Sequence, residues 1–391
     1  MGSILNIFNN ENIVEKENSS EKIAKKRINL NNIPNPNFKS KQTLIQSHKS
    51  PYDIYGNILS CYEIYTLKKV ENSFFIAFQN KENIIQILKY DFITYTHTLM
   101  TQIDIQKPKI IKYFNDEIYN RELLIISNTK EIHLFLILDE KSYQKFYIYK
   151  EEGRMSYGFC GCSKGILPMT DFLLFFDEIN KINYLIISFF FRDDCTSSSK
   201  KISILKLEQN NCVLVKQVVS CDSLLFSKKI FLLWENKDTK MNYLIYNSFT
   251  ILTLLKIDDK ETEEIIRLNE ELEAHKKYVG CVVESKDKRN LLYLFDDNGL
   301  LIIIDLALNQ KVIKLNTIGE INSIINWNRN YIILSSKKYI YTFDITINKI
   351  INKTLINSDR NIASINIFIS EEYNFYPLVV DLGEEIILIS E

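Results

Sequence analysis

The chain has few of the residues that usually form turns. Glycine occurs 10 times and proline 6 times in 391 residues, below the average shares of about 7% and 5%. We expect asparagine to form many of the turns, because it tolerates left-handed backbone conformations. Long apolar runs are also missing: the longest, such as residues 185–191, have the length of a strand, far from the ~18 residues that a membrane span needs. The first ten residues lack the basic start and long apolar run of a secretion signal.

Net charge is nearly absent, since the formal charge at pH 7 is −1. This balance excludes the global positive field that attracts nucleic acid, so we expect no nucleic-acid partner. The seven cysteines are odd in number and widely scattered, which favours reduced thiols and a cytoplasmic location. Cys160, Cys162 and Cys195 do not have the spacing of a zinc site, so we expect no metal there.

Sequence motifs of catalysis are missing as well. The chain has no Gly-x-Ser-x-Gly elbow, no phosphate-binding glycine loop and no His-Glu-x-x-His. Of the four histidines, His97 and His133 lie in predicted strands, where we expect surface positions rather than ligands or bases. We therefore predict a protein that is not an enzyme and has no cofactor and no small-molecule substrate.

What the chain does contain is a repeated pattern in which a strand-like apolar run ends in an acid. The acids are separated by 48, 69, 50, 47, 39 and 47 residues, and they are Asp91, Asp139, Glu208, Asp258, Asp305, Asp344 and Glu391. A period of 40 to 50 residues built from short strands is typical of a β-propeller. The pattern predicts an all-β fold of about seven four-stranded blades, with six to eight as the range.

The ends of the chain suggest how such a ring closes. Residues 1–40 are polar and charged and predict a flexible, disordered arm, whereas residues 41–391 predict the propeller. The chain stops on the third strand of its last unit, so we expect Gln42–Ser50 to pair with Ile386–Ile389 as the missing fourth strand. Asn298-Gly299 predicts a type I′ hairpin in blade 5. Residues 261–277 fit either a short helix or the outer strand of blade 4.

The step of 69 residues predicts insertions within 150–200, where residues 151–165 and 192–200 have the composition of loops. Insertions in repeat proteins usually lie on one face and often mark the binding face. We therefore expect a partner surface in these loops, formed by Tyr157, Phe159, Arg192, Asp193 and Asp194.

Residues 274–315 resemble one WD repeat. His275 matches the histidine before the first strand, Asp296 or Asp297 the acid of the inner hairpin (Asp297 is our choice), and Ile304-Asp305 stands where the family has Trp-Asp. His48 and Asp344 resemble the same features elsewhere in the ring. No repeat carries Trp-Asp itself, since Trp234 and Trp327 lie at other positions. The resemblance implies a non-enzymatic scaffold that gathers other proteins.

The N-terminus suggests an alternative. Gly2 in Met-Gly-Ser-Ile-Leu-Asn is a candidate for N-myristoylation, although Asn6 stands where Ser or Thr is usual. Residues 1–50 contain eight basic and four acidic residues, a net charge of +4, which provides the second signal that one acyl chain needs. A tethered adaptor would contact the membrane through residues 1–41. A phosphoinositide-binding propeller is a weaker alternative, because Phe191-Arg192-Asp193-Asp194 replaces an arginine of its motif by acid.

Overall fold

The computed structural model describes most of the chain between Ile33 and Ile389. The described residues are 33–36, 38, 42–47, 61–80, 82–91, 94, 96–128, 131–150, 156–157, 163–192, 198–222, 230–248, 250–258, 265–273, 276–285, 287–316, 320–368, 376–383 and 385–389. All helical or extended elements assigned in these residues are β-strands, as the all-β prediction from the sequence requires. No helix in this part of the chain is long and apolar enough to cross a membrane.

The first strand, β1 (Gln42–Ser47), is followed by blades 1 to 3. Blade 1 contains β2 (Tyr62–Tyr65), β3 (Ser73–Gln79), β4 (Ile85–Asp91) and β5 (His97–Ile103). Blade 2 contains β6 (Ile110–Asp116), β7 (Arg121–Ser127), β8 (Glu131–Ile137) and β9 (Tyr143–Lys150). Blade 3 contains a short β10 (Ser156–Tyr157), then β11 (Ser163–Asp177), β12 (Ile182–Arg192), β13 (Ser198–Leu207) and β14 (Cys212–Asp222).

Blades 4 to 7 follow the same order. Blade 4 contains β15 (Phe231–Asn236), β16 (Met241–Ser248), β17 (Ile251–Ile257) and β18 (Ile265–Glu271). Blade 5 contains β19 (Tyr278–Glu284), β20 (Asn290–Asp296), β21 (Leu300–Asp305) and β22 (Gln310–Asn316). Blade 6 contains β23 (Ser323–Asn326), β24 (Tyr331–Ser336), β25 (Tyr339–Asp344) and β26 (Lys349–Leu355). Blade 7 contains β27 (Ser364–Ile367), β28 (Leu378–Asp381), β29 (Glu385–Ile389) and β1.

All neighbouring strands within a blade are antiparallel, so the turns of every blade alternate between two faces of the ring. The lower face carries the turns between first and second strands and between third and fourth strands, for example 117–120 and 345–348. The upper face carries the turns between second and third strands, such as 297–299, and the connections between blades, such as 104–109. First strands of neighbouring blades contact one another, which places them around the axis.

Seven apolar clusters hold the ring together, one between each pair of neighbouring blades. The strands are rich in Ile, Leu, Phe and Tyr on both faces because both faces of a blade are covered. The cluster between blade 7 and blade 1 joins Phe368 and Leu388 to Phe74 and Tyr90, and the rings of Phe74 and Phe368 lie 5.0 Å apart. The described ring therefore has seven blades and is closed.

The predicted closing strand is confirmed. β1 pairs antiparallel with β29, from Gln42 opposite Ile389 to Ser47 opposite Glu385. The pairing supplies the fourth strand of blade 7 and connects the N-terminal part of the chain to its last strand.

A second contact fixes the chain upstream of β1. Ile33 and Phe38 are buried in the cluster between blades 6 and 7, where Phe38 meets Trp327 edge to face at 5.4 Å. The indole Nε1 of Trp327 donates to the carbonyl oxygen of Pro34 at 2.9 Å, and Asn328 donates to that of Ile33. The ring thus includes residues upstream of the boundary that the sequence suggested at residue 40.

In blades 1 to 6, the acids that set the period stand at or within two residues of the end of the third strand, and Glu391 lies outside the described residues. In the turns that follow, Oδ1 of Asp139, Asp305 and Asp344 accepts backbone N–H groups two or three residues on. Turns on the lower face often contain a non-glycine residue with positive φ, as at Asn120, Asn309 and Asn348. Asparagine therefore does form turns, but lysine shares the role at Lys107, Lys181, Lys240, Lys288 and Lys337.

Four local expectations are corrected or settled. The Asn298-Gly299 hairpin exists, but only Gly299 has positive φ and its N–H bonds Asp296, so the turn is a three-residue loop and not type I′. Ile265–Glu271 is the outer strand of blade 4, not a helix. His97 is exposed, but His133 is buried, and its burial lowers the pKa of the imidazole. Residues 163–165 and 198–200, expected in loops, belong to strands.

The Trp327 contact predicts a measurable stabilisation. Trp327→Phe keeps an aromatic ring against Phe38 but removes the bond to Pro34, so we expect a loss of about 1 kcal/mol in the free energy of unfolding. Trp234 is the matched control, because it is similarly buried and its Nε1 has no hydrogen-bond partner among the described residues. Trp234→Phe should lose less. Denaturant unfolding of both variants tests this, and equal losses would contradict the proposed anchoring bond.

Candidate interaction surfaces

The lower face is crossed by polar contacts that join neighbouring blades. Arg121 of blade 2 bonds Asp116 at 2.7 Å and also donates to the backbone carbonyls of Glu208 and Gln209 in blade 3. The carboxylate of Glu284 in blade 5 pairs with Lys237 of blade 4 at 2.6 Å and lies 3.6 Å from the guanidinium of Arg329 in blade 6. These basic side chains serve the ring itself.

Tyrosines make the corresponding contact between blades 1 and 2. The rings of Tyr65 and Tyr113 stack at 4.8 Å, and the hydroxyls of Tyr65 and Tyr143 lie 2.9 Å apart. Tyr113 donates to Glu122 at 2.6 Å. Burial raises the pKa of Tyr143 to about 12, so its hydroxyl stays protonated near neutral pH. Its chemistry is structural.

The lower face also exposes large apolar side chains at the tips of its turns. We call them the lower-face tips: Ile118, Tyr119, Leu138, Ile179, Leu308 and Ile347. In blades 5 and 6 these side chains are Leu308 and Ile347, which are 62% and 56% exposed. In the described upper-face turns, no large apolar side chain is exposed to this degree. The two faces therefore differ in chemistry.

The upper face is dominated by blade 3. Its β12 has 11 residues, whereas the corresponding β7 of blade 2 has 7. The lower turns of the two blades match, since Asp116 pairs with Arg121 and Asp177 with Ile182 across turns of four residues. The extra four residues therefore extend upward and project by about 13 Å at 3.3 Å per residue.

The projecting part of blade 3 carries the segments that the sequence singled out. Tyr157 lies in β10 and pairs with Ser163, and Arg192 is the last residue of β12 and pairs with Ser198. Phe159, Asp193 and Asp194 lie outside the described residues. Val219 on the outer strand of this projecting part is 58% exposed.

Three acids at or next to the WD-like positions make contacts in their turns, while their role as WD signature residues stays a prediction. Asp305 and Asp344 cap the turns after the third strands of blades 5 and 6. In the inner hairpin of blade 5, Asp296 accepts the N–H groups of Asn298 and Leu300 and bonds Lys276 at 2.7 Å, so Asp296 rather than Asp297 makes the hairpin contacts. The hydrogen bond that Lys276 donates to Asp296 raises the pKa of the lysine. His48 and His275 lie outside the described residues, as do Gly2, Cys160, Cys162 and Cys195.

Burial shifts the pKa of two further ionisable groups, Glu63 and Cys212. Burial raises the pKa of Glu63 on the first strand of blade 1, and the nearest cation is Lys112 of blade 2 at 3.8 Å. Burial also raises the pKa of the Cys212 thiol to about 12, which keeps it unreactive. No group of three metal-binding side chains occurs among the described residues.

Sequence reasoning missed the lower-face tips and Lys276. The tips follow a rule visible only with the structure: Ile118 and Ile179 both stand two residues after a strand-ending aspartate, and Leu308 and Ile347 both stand three residues after one. The charge of Lys276 next to His275 offered no signal in itself.

Solved structures with the same fold are known. The crystal structure of BBS1N in complex with ARL6DN matches with a TM-score of 0.57 and 11% identity, covering 90% of this chain and 96% of that chain. Sqt1 of Saccharomyces cerevisiae matches with a TM-score of 0.56 and 7% identity, covering 88% and 100%. No protein-family model and no curated protein sequence matches significantly. The likeness shows a seven-bladed propeller, and the WD-repeat resemblance stays a prediction.

The two neighbouring acids of blade 5 give a direct test of the hairpin. Asp296→Ala removes the acceptor of two backbone N–H groups and leaves Lys276 without its buried partner, so we expect a loss of about 2 to 3 kcal/mol in the free energy of unfolding. Asp297→Ala changes the adjacent turn residue and should cost less than about 0.5 kcal/mol. Thermal and denaturant unfolding measure both, and a larger effect at Asp297 would reverse the assignment.

Proposed function

We propose that this protein is a non-enzymatic scaffold that captures other proteins on the projecting end of blade 3. The observation that carries the proposal is the extension of β11, β12, β13 and β14 beyond the other blades. A projecting edge with long connections presents more contact area than a flat turn. Tyr157, Phe159, Arg192, Asp193 and Asp194 are the proposed contact residues.

Rigidity supports this role. The seven apolar clusters fix each blade against both neighbours, so a connection on one blade can vary without loss of the ring. The contacts of blade 3 with blades 2 and 4 include fully buried Phe172, Tyr184 and Leu205. A partner that binds the projecting end therefore meets a blade whose body is held rigidly, and a rigid support lowers the entropic cost of association.

The comparison with solved propellers also supports protein binding. The BBS1N propeller was crystallised in a complex with another protein, ARL6DN. At 11% identity this likeness does not transfer the partner. It makes capture of a protein the function to test first.

The five residues 193–197 are the most direct target. Arg192 and Ser198 face each other across the hairpin, so replacing residues 193–197 by Asn-Gly joins β12 to β13 through a two-residue turn in the same register. We expect this variant to lose most of the partners that the full chain captures in affinity purification with mass spectrometry, while its melting temperature changes little.

Blade 1 offers a matched control. Gln79 and Ile85 also face each other across five residues on the upper face, so residues 80–84 accept the same Asn-Gly replacement. The control should keep its partners. Capture of every partner by the folded blade 3 variant, or equal loss in the blade 1 variant, would contradict the proposal.

A membrane-tethered adaptor is the second candidate function. The observation that favours it is the anchoring of Ile33 and Pro34 beside Trp327, a residue that follows the first strand of blade 6 at the lower face. An acylated Gly2 with the basic residues Lys22, Lys25, Lys26 and Arg27 would then hold the lower face toward the membrane.

Acylation of Gly2 has a simple readout. We expect mass spectrometry of the protein isolated from its native cells to find the N-terminal glycine carrying a myristoyl group after Met1 is removed. Gly2→Ala should abolish the modification and shift the protein from the membrane fraction to the soluble fraction. A native N-terminus without an acyl group would remove this candidate.

A further inference from the structure

We propose that the lower face of the propeller is itself a docking surface for an anionic lipid bilayer, with Leu308 and Ile347 as points of insertion. This extends the second candidate function, but it does not require acylation of Gly2. The ring would contribute its own contact with the membrane.

The first argument is the geometry of the tips. Leu308 and Ile347 lie in equivalent turns of neighbouring blades 5 and 6 and are both more than half exposed. Asp305 bonds the N–H of Leu308 itself, and Asp344 bonds that of Thr346, so both turns are held in a defined conformation. Aliphatic side chains on rigid turns of one face can enter a bilayer together without unfolding any part of the ring, and each gains by leaving water.

The second argument is charge. Around these two turns the exposed basic residues are Lys288, Arg289, Lys311 and Lys349, against Asp287 as the exposed acid of the described part of this sector. Aliphatic tips flanked by lysine and arginine are suited to anionic headgroups over an acyl interior. Each basic residue near an anionic leaflet adds to the attraction.

The third argument is the path of the chain. Ile33 and Phe38 pack between blades 6 and 7, next to the sector with Leu308 and Ile347. The 32 residues upstream, with Lys22, Lys25, Lys26 and Arg27, are therefore connected to the ring at this side. Contact of the arm with the same membrane would add to that of the tips, so the test below measures the two contributions with separate variants.

A bilayer fits this surface better than a protein partner. The energy of a protein interface is concentrated in a few adjacent residues near its centre. The lower-face tips are instead distributed over blades 2, 3, 5 and 6 and separated by charged turns. A bilayer accepts separated insertion points because its surface is the same everywhere.

Vesicle sedimentation tests the proposal with the full chain carrying Gly2→Ala, so that no acyl group contributes. The probes are vesicles of phosphatidylcholine alone and of phosphatidylcholine with phosphatidylserine. Leu308→Ser/Ile347→Ser is compared with Val219→Ser/Leu355→Ser, two residues that are similarly exposed but lie on outer strands. A third variant, Lys25→Ala/Lys26→Ala/Arg27→Ala, changes only the arm.

We expect binding to the anionic vesicles, weakened by high salt. Leu308→Ser/Ile347→Ser should lower the partition coefficient at least tenfold, and the outer-strand pair should leave it within twofold, with equal melting temperatures for all variants. The proposal is overturned if the full chain does not prefer anionic vesicles, or if the arm variant loses binding while the tip variant keeps it. It is also overturned if the tip variant keeps vesicle binding and instead loses a captured protein.

Discussion

The pairing of β1 with β29 is the constraint on which the rest of the structure depends. Every blade buries both of its faces, and an open row of blades would leave one face bare at each end. The cluster of Phe74 and Tyr90 with Phe368 and Leu388 forms only when blade 7 meets blade 1. β1 precedes blade 1 in the chain and pairs with β29 of blade 7, so its hydrogen bonds tie the first blade to the last. The edge that would otherwise promote aggregation is thereby covered.

The same closure links the fold to the proposed functions. β1 starts at the lower face. There Trp327 donates a hydrogen bond to the carbonyl oxygen of Pro34 and packs against the ring of Phe38. Under the second proposed function, an acylated N-terminus would therefore be connected to the ring beside blades 6 and 7.

The sequence predicted the elements that local chemistry determines. Asp305 and Asp344 recur because the turns after these third strands need an acceptor for free backbone N–H groups. The last blade lacked a fourth strand in the sequence pattern, which predicted the pairing of β1. The sequence did not predict features decided by neighbours in space. Lys181 adopts positive φ although lysine has no turn preference, and His133 is buried by its surroundings. The excess residues of blade 3 read as loops because a lengthened strand and a polar loop can share a composition. Lower-face tips become a set only when strand order shows which turns lie together.

The two faces can act at the same time because the ring separates them. A strand of seven residues, such as β7, spans about 23 Å at 3.3 Å per residue. Blade 3 adds about 13 Å at the upper side, since β12 has four more residues than β7. The field of an anionic leaflet at the lower face decays over a Debye length of about 8 Å at physiological salt. If both proposals hold, a protein bound to the end of blade 3 would lie several Debye lengths from the leaflet, and its affinity would not depend on the lipid charge. Membrane contact would then change where the protein works without changing what it binds.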